Sequence, residues 1–229
     1  MPRPDLTNTD LDFVAPIDCK KCPRLHKFIQ SHREAYPDWH NGAVPSFGSI
    51  DAEILIVGLA PGLRGANATG RPFTGDFAGD TLYAALDKYG FASGEFGKTA
   101  HDTLRLHNVR ITNAVKCVPP QNKPNGAEIN TCRDAFLIPE IKRMKNLKII
   151  LALGGIAHKA LIKTFELRNS DYPFGHFVRH DIGHHFGNDL TLLDSYHCSR
   201  YNVNTNRLTV EMFDEVIAYL QSQARQLGT

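Results

Sequence analysis

The segment Glu53–Gly58 (EILIVG) is short, β-branched and apolar from Ile54 to Val57, and it stops on a glycine. Such a run reads as a strand buried on both faces. It empties into GLAPGLRGANATGRPFTGD, Gly58–Asp76, which carries five glycines and two prolines and ends on an acid. Each glycine loses extra chain entropy on folding, so stability alone does not account for such a loop. Close approach of backbone to a ligand does. A helical pattern follows over Thr81–Tyr89, with Leu82, Ala85, Leu86 and Tyr89 on one face and Gly90 as a C′ stop. Strand, glycine loop, helix is the grammar of an α/β chain.

The same grammar recurs. Val109–Ala114 reads as a second strand that runs into Val115–Pro120, where two prolines forbid further regular structure. Gly126–Arg143 is helical in part, with Pro139 as an interruption. Lys148–Leu153 is a third strand, and Gly154-Gly155 opens a helix to about Phe165. Asp189–Asp194 is a fourth strand. A last helix starts after Thr209, an N-cap residue, and carries the stripe Val210, Phe213, Val216, Ile217 and Leu220. Near the N-terminus, residues 1–18 form a loose lead-in, Arg24–Glu34 is helical and Ser46–Asp51 is a turn.

The alternation predicts an α/β fold with a mainly parallel four-stranded sheet and helices on both faces. No repeat, low-complexity tract or linker divides residues 1–229, so a single domain is expected. In such sheets ligands bind at the carboxyl ends of the strands. The unusual segments Gly58–Asp76, Asn113–Pro120, Gly154-Gly155 and His197–Arg207 all fall there.

Net charge is +2, so no large basic excess advertises nucleic acid, and binding must depend on local patches. The N-terminus MPRPDLTNTD has no apolar core of a signal peptide, and no apolar run approaches the ~18–20 residues that span a bilayer. The chain reads as cytoplasmic or nucleoid-associated, with no membrane partner. In that compartment the cysteines Cys19, Cys22, Cys117, Cys132 and Cys198 point to a metal or redox site before disulfides. Cys19 and Cys22 form a tight pair beside Lys20, Lys21 and Pro23. Cys117 and Cys132 lie far away, with fourteen residues between them. A zinc ribbon would show a second tight pair. Four thiolates from three segments suit an iron–sulfur cluster at least as well, and four unrelated buried thiols remain the bland alternative.

Five segments in order carry a family resemblance: GLAPG at 58–62, GRPFTGD at 70–76, ITNAVKC at 111–117, LALGGIA at 151–157 and SYHCSRYNVNTNRLT at 195–209. With the cysteine pattern they resemble the uracil-DNA glycosylase superfamily, most of all its family 5. The likeness runs from Cys19 to about Thr209. It implies a three-layer α/β/α sandwich that cleaves the N-glycosidic bond of uracil in DNA and leaves an abasic site for base-excision repair. Family 5 is also associated with other deaminated bases, including hypoxanthine. The resemblance further implies a 4Fe–4S cluster held by Cys19, Cys22, Cys117 and Cys132, and a monomer acting on double-stranded DNA.

Cleaving that bond puts negative charge on the departing base and positive charge on the sugar, after the base has left the stack. By the resemblance, Phe73 offers a ring for the flipped base, where the plain reading is a loop anchor. Asn113 offers donor and acceptor to a uracil edge, where the plain reading is a strand-end turn residue. His197 donates to the charge growing on a uracil carbonyl. Asp76 aids catalysis from the sugar side, although GDFAGDT is also a helix start in which Asp76 or Asp80 caps free amides. Gly58, Leu59, Ala60 and Gly62 complete the pocket wall, and Asn67 is a reserve group to hold water. Ser199, Arg200, Tyr201 and Asn202 open a segment to 207 that would enter the minor groove, with Arg200 on phosphate and Tyr201 as wedge.

The chain departs from the family pattern at two places. Leu59 and Ala60 stand where other superfamily members carry an acid or amide that holds water. Cys198 stands where a proline normally follows the histidine, and is a candidate oxidation-sensitive thiol or a neutral replacement. His176, His180, His184 and His185 form a histidine-rich stretch with no accompanying carboxylate pattern, which reads as a loop reaching DNA before a second metal site. Lys20, Lys21, Arg24 and Lys27 either meet phosphates or form a solvated face. The competing functions are a family 4-type enzyme, a non-catalytic damaged-DNA binder that keeps the fold, and an unrelated nucleotide-binding or radical enzyme. The glycine loop lacks the Lys-[Ser/Thr] ending of a phosphate-binding loop.

Overall fold

The computed structural model describes residues 12–226. Most of the lead-in expected over 1–18 lies outside them; residues 12–18 form turns without helix or strand. In chain order the elements are α1 (Pro23–Ala35), β1 (Ile54–Gly58), α2 (Ala66–Thr69), α3 (Phe77–Lys88), β2 (Ala92–Ser93), β3 (Arg105–Leu106), β4 (Val109–Asn113), α4 (Gly126–Cys132), α5 (Ile138–Arg143), β5 (Ile149–Leu153), α6 (Gly155–Thr164), β6 (Arg179–His185), β7 (Asn188–Ser195), α7 (Arg200–Asn204) and α8 (Val210–Gln226).

The central sheet has the order β4-β1-β5-β7-β6. Its first four strands pair in parallel, and β6 joins β7 antiparallel at the edge. Successive residues of a strand face opposite sides. Ile54, Ile56, Ile111, Leu151 and Leu193 pack with Leu82, Leu86, Phe213 and Ile217 of α3 and α8. Leu55, Val57, Ile150, Ala152 and Leu192 pack on the other side with Leu137, Ile141 and Leu161. A third, smaller core joins Leu25 and Ile29 of α1 to Val115, Val118 and Phe136 around the cysteines.

Four departures from the sequence reading have physical causes. The sheet has five strands, not four. β6 reads RHDIGHH and buries only Ile182, so an edge strand with one apolar position left no hydrophobic run to detect. The histidine-rich stretch is therefore largely this strand and not a loop. Helix α3 begins at Phe77, four residues before the expected start, because Asp76 caps it: Gly79 N–H donates to Asp76 Oδ1 at 3.0 Å. The 126–143 helix is continuous through a π turn at Arg133–Leu137, with Pro139 tolerated in the first turn of α5. The segment after Ser199 contains the short helix α7, whose N-cap is Ser199.

Charge is buried where β4 meets α5. Glu140 is wholly buried and accepts from Arg110 Nε at 2.6 Å and Lys116 Nζ at 2.9 Å. Burial pushes its carboxyl up, but the two cations outweigh it and hold the pKa below the ordinary value. The pair fixes the chain just beyond β4, between Asn113 and Cys117.

Candidate active site

The carboxyl ends of the parallel strands open into a cavity of about 550 Å³, within the range of small-molecule sites. Leu59, Ala60, Gly62, Phe73, Asp76, Asn113 and His197 line it, together with Ser199 and Arg200 from the entry to α7. Seven of the residues singled out from sequence as catalytic or base-binding thus share one wall.

Two glycines create room for three functional side chains. Gly58 ends β1 directly opposite Asn113 of β4. A Cβ on Gly58 would lie 2.4 Å from Asn113 Oδ1 and 2.7 Å from Phe73 Cζ. A Cβ on Gly65 would lie 2.6 Å from Asp76 Oδ2. The two oxygens of Asp76 thereby divide their tasks: Oδ1 caps α3, while Oδ2 faces the glycine loop beside the cavity. The cap and cavity readings of Asp76 are compatible.

Phe73 takes a left-handed backbone, φ 51°, and its ring lies against the His197 ring at 5.9 Å between centroids and 27° between planes. The loop that holds it is braced from behind. Arg71 Nε donates to Thr74 Oγ1 at 2.9 Å, its two terminal nitrogens grip Asp102 at 2.6 and 2.7 Å, and Tyr83 Oη donates to the Pro72 carbonyl at 2.7 Å. The bidentate pair is largely buried and geometrically specific.

His197 follows β7. Gly154, with φ 97°, turns the chain between β5 and α6 so closely that a Cβ there would touch His197 Cβ at 3.5 Å. Asn202 Nδ2 donates to the His197 carbonyl at 2.8 Å, so the start of α7 folds back and holds the histidine's backbone. Burial pushes the His197 pKa below 6.5, and the Asp76 carboxylate only partly offsets this. The imidazole is held neutral. Cys198 is fully buried in the core and its thiol donates to the Ala78 carbonyl at 3.4 Å. Burial, with the Asp76 charge, pushes its pKa up to about 12, so it is a packed and unreactive group. It ties the His197 segment to the helix that Asp76 caps.

Of the other expected site residues, Asn67 and Tyr201 are not in the cavity lining, whereas Arg200 stands at its exposed edge. Asn67 does not line the cavity; it is wholly buried in α2, where its Nδ2 donates to Asn41 Oδ1 at 2.9 Å. Arg200 is exposed with its guanidinium 5.5 Å from the Phe77 ring centre, and Tyr201 is 73% exposed on α7. Sequence reasoning missed Phe77 and Asn122, which also line the cavity. Asn122 sits at φ 56° after Pro119-Pro120, and that proline pair followed by an amide was the available turn signal.

Cys19, Cys22, Cys117 and Cys132 converge on one small pocket shared with Leu25, Val115 and Phe136. Arg24 of α1 clasps Glu128 of α4 at 2.8 and 2.7 Å, and Glu128 closes a capping box with Asn125. Arg24 is thereby committed to joining the two cysteine-bearing segments and is not a free phosphate contact. Lys116 N–H donates to Cys132 Sγ at 3.2 Å. Burial pushes the Cys117 thiol far up, with further contributions from the other three cysteines, and pushes Cys132 up to about 11. Among the described residues the group of three metal donors within 4.8 Å of one another is His158, His180 and Asp194.

An α/β sandwich with a ligand cavity at its strand ends and a four-thiol pocket behind one wall defines a class that comparison with known proteins resolves. Residues 45–221 match the uracil DNA glycosylase superfamily. A type-5 uracil-DNA glycosylase of Thermus thermophilus is 42% identical over 87% of this chain and 90% of its own. One from Mycobacterium bovis is 38% identical over 86% of this chain and 75% of its own. One from Pyrobaculum aerophilum is 34% identical over 90% and 89%. The chain belongs to the uracil DNA glycosylase superfamily, in its type-5 branch.

Proposed function

We propose that the protein is a monofunctional uracil-DNA glycosylase that hydrolyses the N-glycosidic bond of uracil in double-stranded DNA and leaves an abasic site. The observation that carries this reading is the single cavity that gathers a ring, an amide, a neutral imidazole and a carboxylate. The flipped base stacks on Phe73, and Asn113 reads its edge. His197, held neutral by burial, donates to the carbonyl oxygen on which charge develops. Asp76 Oδ2 offsets the positive charge of the sugar and orients water. Leu59 and Ala60 cannot hold water, so this task falls to Asp76 in this chain. Arg200 and Tyr201 meet the DNA backbone and the gap left by the base, while Asn202 acts by holding His197. The proposal extends to other deaminated bases such as hypoxanthine, which would meet the same ring and amide. The described residues serve one domain, a reading supported by one central sheet with both faces covered.

Cys19, Cys22, Cys117 and Cys132 fit a 4Fe–4S cluster. Four cysteines from three segments line one pocket, and four thiolates are the donor set such a cluster takes. Bound there, the cluster supplies cross-linking of α1, the segment after β4 and the end of α4; the glycosidic chemistry needs no electron from it. A monomer in the cytoplasm or on the nucleoid fits this reading. Among the described residues no helix is long and apolar enough to cross a membrane.

The test is incubation of the iron-loaded protein with a labelled duplex holding one uracil opposite guanine. Free uracil and an alkali-sensitive site are expected. Tight binding of that duplex with no base released would instead make the protein a non-catalytic damage binder.

A further inference from the structure

The sheet edge away from the thiols carries a second polar cluster. Asp194 of β7 is wholly buried. His158 reaches it from α6, with Nδ1 2.8 Å from Asp194 Oδ1. His180 reaches it from β6, with Nε2 3.4 Å from Asp194 Oδ2. Position 180 lies opposite Leu192 in the ladder, so its diagonal neighbour on the same face is Asp194. One atom from each residue lies within 4.8 Å of the other two.

The hydrogen bonding of this cluster is incomplete. His158 Nε2 faces the Tyr172 carbonyl at 2.9 Å, so both its ring nitrogens face acceptors. His180 Nε2 and Asp194 Oδ2 are both buried without a hydrogen-bond partner, although they face each other. An unpaired carboxylate oxygen and an unpaired imidazole nitrogen in the interior are costly, and such pairs call for an explanation. The cavity belongs to other residues, so this cluster is independent of it.

We propose that His158, His180 and Asp194 form a binding site for one divalent transition-metal ion of the zinc class. Two imidazoles and a carboxylate favour such an ion over magnesium or calcium. The ion takes the place of the proton between His158 Nδ1 and Asp194 Oδ1, and that proton leaves to solvent. Dative bonds form from His158 Nδ1, His180 Nε2 and an Asp194 oxygen, and no electron is transferred. The outer support is already built: His158 Nε2–H donates to the Tyr172 carbonyl, as metal-bound histidines commonly do. The ion would join α6, β6 and β7 just before the chain leaves for Ser195, Tyr196 and His197. The site was invisible in sequence because its three ligands come from three elements, and only one lies in the histidine-rich stretch.

The experiment titrates iron-loaded protein, dialysed free of labile ions, with Co²⁺ and then with Zn²⁺. Wild type is expected to bind about one Co²⁺ per chain with nitrogen/oxygen-type d–d bands and no thiolate charge-transfer band, and Zn²⁺ should displace it. His180→Ala and Asp194→Asn should each lose that binding at unchanged iron content. His184→Ala, an exposed histidine on the same strand paired with Asp189, should keep it. Absence of binding in wild type, or binding retained in both site variants, overturns the proposal. Should both variants fail to fold, zinc X-ray absorption on wild type decides: nitrogen and oxygen neighbours support the site, and sulfur neighbours overturn it.

Discussion

Missing side chains shape the cavity, whereas buried ones shape the thiol region. Gly58 withholds a Cβ where Asn113 and Phe73 approach, and Gly65 withholds one where Asp76 approaches. The cysteines are instead brought together by a small apolar core and by Arg24–Glu128 and Lys116–Glu140. The cavity is the surface proposed to take the base. In the thiol pocket burial raises the Cys117 and Cys132 thiols, and the proposed cluster would bind them as thiolates. Ala60 belongs to both, lining the cavity and packing against the thiol core. The difference teaches that damage to the first should cost chemistry, and damage to the second should cost structure.

The largest effect should come from the thiols. Cys132→Ala is expected to drop iron content to background and lower the melting transition, measured by metal analysis and circular dichroism. An iron-free variant with wild-type melting and activity would break the comparison. Next is His197→Ala, expected to slow single-turnover base release by about 10²–10³-fold with iron unchanged. Gly58→Ala should be milder, up to about 10²-fold, because the added methyl meets only the ends of the Asn113 and Phe73 side chains. Its melting temperature should stay near wild type; a large drop would mean that the cavity wall is structural after all.

The smallest effect is a shift in titration. The His197 imidazole should titrate below 6.5 in the folded protein, measured by NMR. Removing the Asp76 charge should move it further down, since that charge is the opposing influence. The folded pKa is depressed, so the group's contribution to stability is present above the unfolded value and lost as pH falls through the folded one. A midpoint above 6.5 would contradict a neutral donor.

Elements with strong local signals were legible. β1 and β5 are fully buried apolar runs, β4 and β7 are buried or largely buried runs that mix apolar and polar residues, and each was found within a residue or two. β6 was missed because an edge strand needs little apolar content. The cavity residues Phe73, Asp76, Asn113 and His197 were named through the family resemblance of their segments, and the topology of a parallel sheet accounts only for those segments meeting at the strand ends. Asn67 was misplaced because a motif position does not say which way a side chain faces, and here it turns to Asn41. The Asp194 cluster depended on cross-strand register, which no local pattern records.

The account turns on Asp76, whose two oxygens are assigned to two tasks. Asparagine caps a helix as well as aspartate does, so Asp76→Asn keeps the bond from Gly79 and removes the charge. Single-turnover release of uracil, measured beside melting temperature and iron content, separates the tasks. We predict unchanged melting and iron with a chemical step slower by about 10²-fold. An unchanged rate would mean that Asp76 is a helix cap and nothing more.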